Sequence, residues 1–143
     1  MRVGYAYFAR YLESNPDGTF GCMGGGFTSV RTAQYPFVFP ISLFIKFVEC
    51  DPQDASPLHV RLDIIKSDGG VLLHTPMSSV VPKTPKQFGQ SGPASDVASL
   101  AVNLGPVVFQ TPGEYEFRFT IGEGDSQFVT SLTLHAEEVT NAT

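Results

Sequence analysis

From Glu114 to Ile121 the chain alternates without a break: Tyr115, Phe117, Phe119 and Ile121 fall on one side, and Glu114, Glu116, Arg118 and Thr120 on the other. A period of two is that of a strand with one buried face and one wet face. The same period recurs along the chain. Leu58, Val60, Leu62 and Ile64 alternate with His59, Arg61 and Asp63, and Ala98, Leu100, Val102 and Leu104 form another inward row. Phe128, Leu132, Leu134 and Ala136 belong to a last strand. The most hydrophobic stretch is Ile41 to Cys50, where Ile41, Leu43, Ile45 and Phe47 face the core. Its second face carries Ser42, Phe44, Lys46 and Val48. Phe44 and Val48 are therefore either covered by a loop or part of a contact surface. Residues 3–12 put Val3, Tyr5, Tyr7, Ala9 and Tyr11 on one face and Ala6, Phe8 and Leu12 on the other.

Turn chemistry separates these runs. Asn15-Pro-Asp-Gly18 has proline and glycine where a β-turn wants them, and Ser67-Asp-Gly-Gly70 predicts a hairpin. Gly122 to Ser126 reads as a tight acidic turn that folds the last strand back on its predecessor. Gln34 to Pro40 is bounded by prolines and reads as a passage from one sheet to another. Residues 75–96 hold four prolines and read as a long connection with a short edge strand near Val80. Gly113-Glu-Tyr115-Glu-Phe117 resembles a tyrosine corner, in which the phenol bonds back to nearby backbone. No helical period appears. The pattern predicts an all-β, immunoglobulin-like or jelly-roll-like antiparallel β-sandwich of seven to nine strands. It forms a single domain over residues 1–138, with a polar tail at 139–143 that frays. The expected core is Tyr7, Leu43, Ile45, Phe47, Val60, Leu62, Leu100, Val102, Tyr115, Phe117, Phe119 and Leu132.

Composition narrows the function. At 143 residues with 42% hydrophobic residues, one domain can build its core without metals or disulfides. The net charge is −5 and the nine Lys and Arg are scattered, so nucleic acid and anionic membrane surfaces are excluded as expected partners. Charged residues are 16%, below the usual share, which fits a contact patch or an oligomer interface. The amino-terminal residues alternate like a strand and lack the apolar core of a signal peptide, so the chain reads as cytoplasmic. Cys22 and Cys50 read as two buried thiols rather than a bridge.

Candidate chemistry is sparse. Gly24, Gly25 and Gly26 lack the flanking helix and the lysine of a phosphate loop, so they read as a bulge or a close backbone crossing. His59, Arg61 and Asp63 share a strand face, but His59 and Asp63 stand about 13 Å apart along a strand and would not share one ion. His74 and His135 sit near strand ends. Glu114, Glu116, Glu123 and Asp125 gather near the last turn without the ligand spacing of a calcium loop. There is no Gly-x-Ser-x-Gly elbow. No catalytic, cofactor or metal residues are therefore assigned; Gly24, Gly25, Gly26, Gly113, Tyr115 and Phe117 are assigned structural roles.

Three stretches together resemble a known kind of protein: Asn15 to Phe27, the Leu58 to Gly69 hairpin, and Pro112 to Phe117. They are similar to a widespread family of small bacterial β-sandwich proteins of unknown function. The resemblance implies a bacterial origin and one β-domain, and it brings no activity. The expected function is a non-enzymatic protein-binding or assembly module that self-associates. One alternative is a sandwich binding a carbohydrate or metal ion through end loops near Asp51–Ser56, Pro82–Ser95 and Gly122–Ser126. Another is an enzyme of unrecognised type.

Overall fold

The structure is a computed structural model that describes residues 1–15, 19–51, 57–80 and 97–140. Residues 16–18 of the Asn15–Gly18 turn, residues 52–56 and the whole of 82–95 lie outside the described residues, as does the end of the tail. Among the described residues eleven strands follow in order: β1 (Arg2–Ala9), β2 (Tyr11–Ser14), β3 (Phe20–Met23), β4 (Ser29–Thr32), β5 (Phe37–Val48), β6 (Leu58–Lys66), β7 (Val71–His74), β8 (Ser78–Val80), β9 (Ala98–Phe109), β10 (Gly113–Ile121) and β11 (Phe128–Glu138). A 3-10 turn spans Gly124–Ser126. Among the described residues there is no α-helix, and no helix is long and apolar enough to cross a membrane.

The strands form a β-sandwich. One sheet has the order β1-β5-β9. The other runs β4-β11-β10-β6-β7, with β8 also on β6. The chain changes sheet between β4 and β5, as the proline-bounded link implied, and the Tyr35–Pro36 peptide there is cis. It changes again between β9 and β10. Among the described residues the strand count exceeds seven to nine, in part because the run over residues 3–12 breaks at Arg10 into β1 and β2. One pairing departs from the antiparallel expectation: β4 lies parallel to β11, with His135 opposite Ser29.

Between the sheets lies one continuous core that includes Phe8, Ile41, Leu43, Ile45, Phe47, Leu62, Ile64, Phe109, Tyr115, Phe117, Phe119, Ile121 and Leu134. The sheets meet through aromatic edges, Phe8 against Phe117 and Phe109 against Tyr115, each at 4.9 Å between centroids. Of the expected core, Leu43, Ile45, Phe47, Val60, Leu62, Leu100, Tyr115, Phe117 and Phe119 are buried, while Val102 and Leu132 pack against it half-buried. Tyr7 is a correction: it packs on the opposite face of the small sheet.

Two bulges explain where simple alternation failed. In β1 the register shifts between Val3 and Tyr5. Val3 opposite Phe47 and Ala6 opposite Ile45 both pack on the core, so the inward parity changes at Gly4. Glycine suits the site because a Cβ there would lie 2.9 Å from Val48 Cγ1. In β9 the pairing passes from Gly105 opposite Ile41 to Asn103 opposite Ser42, leaving Leu104 extra. Gly105, at φ 71°, takes the left-handed conformation of the bulge. Inward residues are even-numbered before it (Leu100, Val102) and odd-numbered after it (Val107, Phe109).

Candidate functional site

β7 and β9 border the same side of the sandwich, one at the margin of each sheet. Between them opens a cleft of about 260 Å³. Ile64, Leu72 and Leu73 supply one wall, and Leu104, Pro106, Val107 and Val108 the other. Ile64 is fully buried. β7 follows the Ser67–Gly70 turn and is tied to β6 by Ile64 opposite Leu73 and Asp63 opposite His74. Just after it, Thr75 Oγ1 accepts from the Leu62 amide at 2.9 Å and donates to the Leu62 carbonyl at 3.0 Å.

The apolar surface continues around β9 to the outer face of the small sheet. There Val38 lies opposite Val108 and Pro40 opposite Pro106. Val38 is 58% exposed and Val108 is 42% exposed. Sequence reading missed these residues. The available signal was that β9 carries no charged residue in twelve positions; what hid it was the bulge, which turns Val108 outward.

Of the two expectations for Phe44 and Val48, cover by a loop or part of a contact surface, Phe44 meets the first. Phe44 is only 6% exposed, because the β2–β3 hairpin folds over it. Leu12 and Phe20 from that hairpin, with Tyr7 and Ala9, enclose it; Tyr7 stacks at 5.0 Å and Phe20 meets it edge-on at 5.3 Å. The hairpin is fastened at the β9 side by Asn103, whose amide donates to the Leu12 carbonyl at 2.9 Å and accepts from the Leu12 amide at 3.2 Å. Ser42 Oγ donates to the same Asn103 carbonyl oxygen. Val48 is half-buried opposite Arg2.

Gly24, Gly25 and Gly26 carry the chain from this hairpin past β1. Gly26 donates its amide to the Phe8 carbonyl at 2.8 Å, and Phe27 bridges to Phe8. A Cβ on Gly25 would come within 2.5 Å of Cys22 Sγ. Cys22 and Cys50 are both thiols, but neither is fully buried as expected: Cys50 is half-buried, and Cys22 is exposed on β3, because the hairpin lies on the outside of the small sheet. Gly113 begins β10, and Tyr115 is 1% exposed with its phenol donating to the Thr111 carbonyl. Phe117 is fully buried against Phe8.

The outer face of the large sheet is polar, and its charged side chains are engaged with one another. Asp63, only 7% exposed, accepts from Arg61 Nε at 3.2 Å and contacts His74 Nδ1. His59 Nε2 stands 3.1 Å from Glu123, and His135 Nδ1 3.3 Å from Glu114. Arg118 forks onto Glu116 at 3.0 and 3.1 Å. Each histidine thus has its own carboxylate, and the three stand on β6, β7 and β11 rather than converging. Among the described residues, no three His, Cys, Asp or Glu side chains gather as a metal site.

The model of DUF6941, a family of unknown function, matches residues 5–137. The chain belongs to this family. No match is found among curated proteins. Among solved structures, one similar chain comes from the structural analysis of a family 123 glycoside hydrolase from Clostridium perfringens, a study of glycolipid glycan hydrolysis. The identity is 11% and the TM-score 0.38, with 78% of this chain covered and 23% of that one. This DUF6941 protein therefore spans less than a quarter of that hydrolase, and so distant a likeness says nothing about its activity.

Proposed function

We propose that this DUF6941 protein is a non-enzymatic protein-binding or assembly module, and that it presents the β7–β9 side of its sandwich to a protein partner. The observation that carries the reading is the continuous apolar surface from the Leu72–Leu73 wall of the cleft, around β9, to Val108 and Val38. Contiguous exposed apolar surface on a small domain marks contact sites. An edge strand offers backbone groups to an incoming extended segment, with side-chain pockets alongside.

Site-specific photo-crosslinking in the native cell tests this. A photo-reactive residue at Val108 should give a discrete protein adduct, and one at Val129 should not; Val129 is as exposed as Val38 but lies on the large sheet. No adduct from position 108, or equal adducts from both, would overturn the proposal.

A further inference from the structure

We infer that Ser79 is an activated nucleophile and that this protein takes up a covalent acyl group there, with His59 as the base and Glu123 holding the imidazole. The site lies toward the other end of β6 from the β7–β9 cleft, and the inference goes beyond the binding reading without resting on it.

The three side chains come from separate elements. His59 stands on β6, Ser79 opposite it on β8, and Glu123 in the turn between β10 and β11. His59 Nε2 is 3.1 Å from Glu123 Oε1, and Nδ1 is 3.4 Å from Ser79 Oγ. With the proton of the neutral ring on Nε2, facing the carboxylate, Nδ1 is left bare to accept from the hydroxyl. Nucleophile, base and orienting carboxylate are the parts of a serine triad, which is recognised by geometry and roles rather than by chain order. The two ring nitrogens exchange the places they take in serine proteases, and either serves, since the bare one is the base. Among the described residues, His59 is the one histidine whose ring meets a hydroxyl; His74 and His135 meet carboxylates.

Backbone pairing supplies the remaining part. Gly122 donates its amide to the His59 carbonyl at 2.8 Å, so the backbone groups of His59 point toward β10. Antiparallel pairs alternate, so His59 and Ser79 form the pair without backbone bonds between them, the kind whose side chains lie closest. The Ser79 amide then points away from β6, and among the described residues no strand pairs with β8 on that side. That leaves it as a donor for the oxyanion of an attacked carbonyl. Ser79 itself is exposed. In the step, Ser79 Oγ bonds to the carbonyl carbon of an activated ester, and His59 Nδ1 takes the hydroxyl proton. The bond from that carbon to the leaving oxygen breaks with its electron pair, and the leaving group takes the proton from His59. The products are acyl-Ser79 and the free alcohol.

Incubation of the full chain with para-nitrophenyl acetate tests the inference. Peptide mass spectrometry should place one acetyl group on Ser79 and leave Ser78 bare; Ser78 is also exposed on β8, but its hydroxyl donates to the Pro76 carbonyl at 3.3 Å. His59→Gln should slow nitrophenolate release at least about a hundredfold. Glu123→Ala should slow it less, and Glu123→Gln, which keeps an oxygen for Nε2–H, should lie between Glu123→Ala and the parent protein. Urea midpoints should not move in any of the three; a rate loss that only follows a lowered midpoint gives His59 and Glu123 a structural role and overturns the inference. No acetyl group on Ser79, labelling no faster than at Ser78, or a rate indifferent to His59→Gln also overturns it. Release that stops at one equivalent supports the inference and leaves the binding reading whole. Release that continues, and is lost in Ser79→Ala, supports it too and removes only the non-enzymatic half of that reading.

Discussion

The Tyr115 phenol donates a hydrogen bond of 2.6 Å to the Thr111 carbonyl, four residues back and across the passage from one sheet to the other. The ring is buried edge-on against Phe109, the last residue of β9, so one side chain clamps both ends of the crossing. Tyr115→Phe keeps the ring and removes only the donor. The expected loss of stability is about 0.5–1.5 kcal/mol. Urea unfolding should show a lower midpoint with an unchanged slope, and an unmoved midpoint would deny the clamp its role.

Phe117 and Phe8 join the two sheets edge to face. Phe117 is wholly buried, so Phe117→Ala should cost on the order of 3–5 kcal/mol through lost contacts and the cavity left behind. Phe8→Ala should cost a similar amount, and the double variant should lose less than the sum because the rings share a contact. Strict additivity by chemical denaturation would contradict a direct interaction.

Asp63 and His74 touch but sit in different surroundings. The Asp63 side chain is 10% exposed, and that of His74 is 62% exposed. Asp63→Asn weakens charge-assisted bonds in a buried place and should cost about 1.5–3 kcal/mol. His74→Ala should cost no more than about 1 kcal/mol, as for an exposed ion pair. Equal losses in thermal or urea unfolding would show that burial does not govern the pair.

Burial pushes the Tyr7 phenol above its ordinary value of 10.0, with Cys22 and Tyr5 adding to the rise. Burial also raises Tyr35, helped by Tyr115, Glu138 and Glu137. The folded chain therefore holds these two protons more tightly than the unfolded chain does. Their contribution to stability is whole below the unfolded value near pH 10 and is lost as the pH climbs through the raised folded values. Tyr7→Phe and Tyr35→Phe should each make the alkaline fall in stability shallower than in the parent protein. Denaturation midpoints followed beside tyrosinate absorbance would check this, and parallel curves would refute it.

The candidate contact side shows how far residue order alone reaches. Alternation in Leu58–Ile64 and Tyr115–Ile121 made two central strands plain, because both are regular and unbulged where they pair with each other. The uncharged run of β9 was equally visible. The pairing of that run with Val38 was not, because it depends on a register set across many residues. The three histidines were visible as isolated positions; their carboxylates come from neighbouring strands or loops, and only strand order brings His74 to Asp63 or His59 to Glu123.

By itself, residue order determined that this chain is a β-sandwich with a phenyl-rich interior and a tyrosine-clamped crossing, since period two, turn residues and Gly-x-Tyr are local patterns with local causes. Tertiary structure decided which face of each strand is covered. A bulge at Gly4 and another at Leu104–Gly105 each change the inward parity, and a folded-over hairpin buries Phe44 while Val108 stays in solvent. Those outcomes depend on what packs from elsewhere in the chain, and alternation along a single strand carries no record of it.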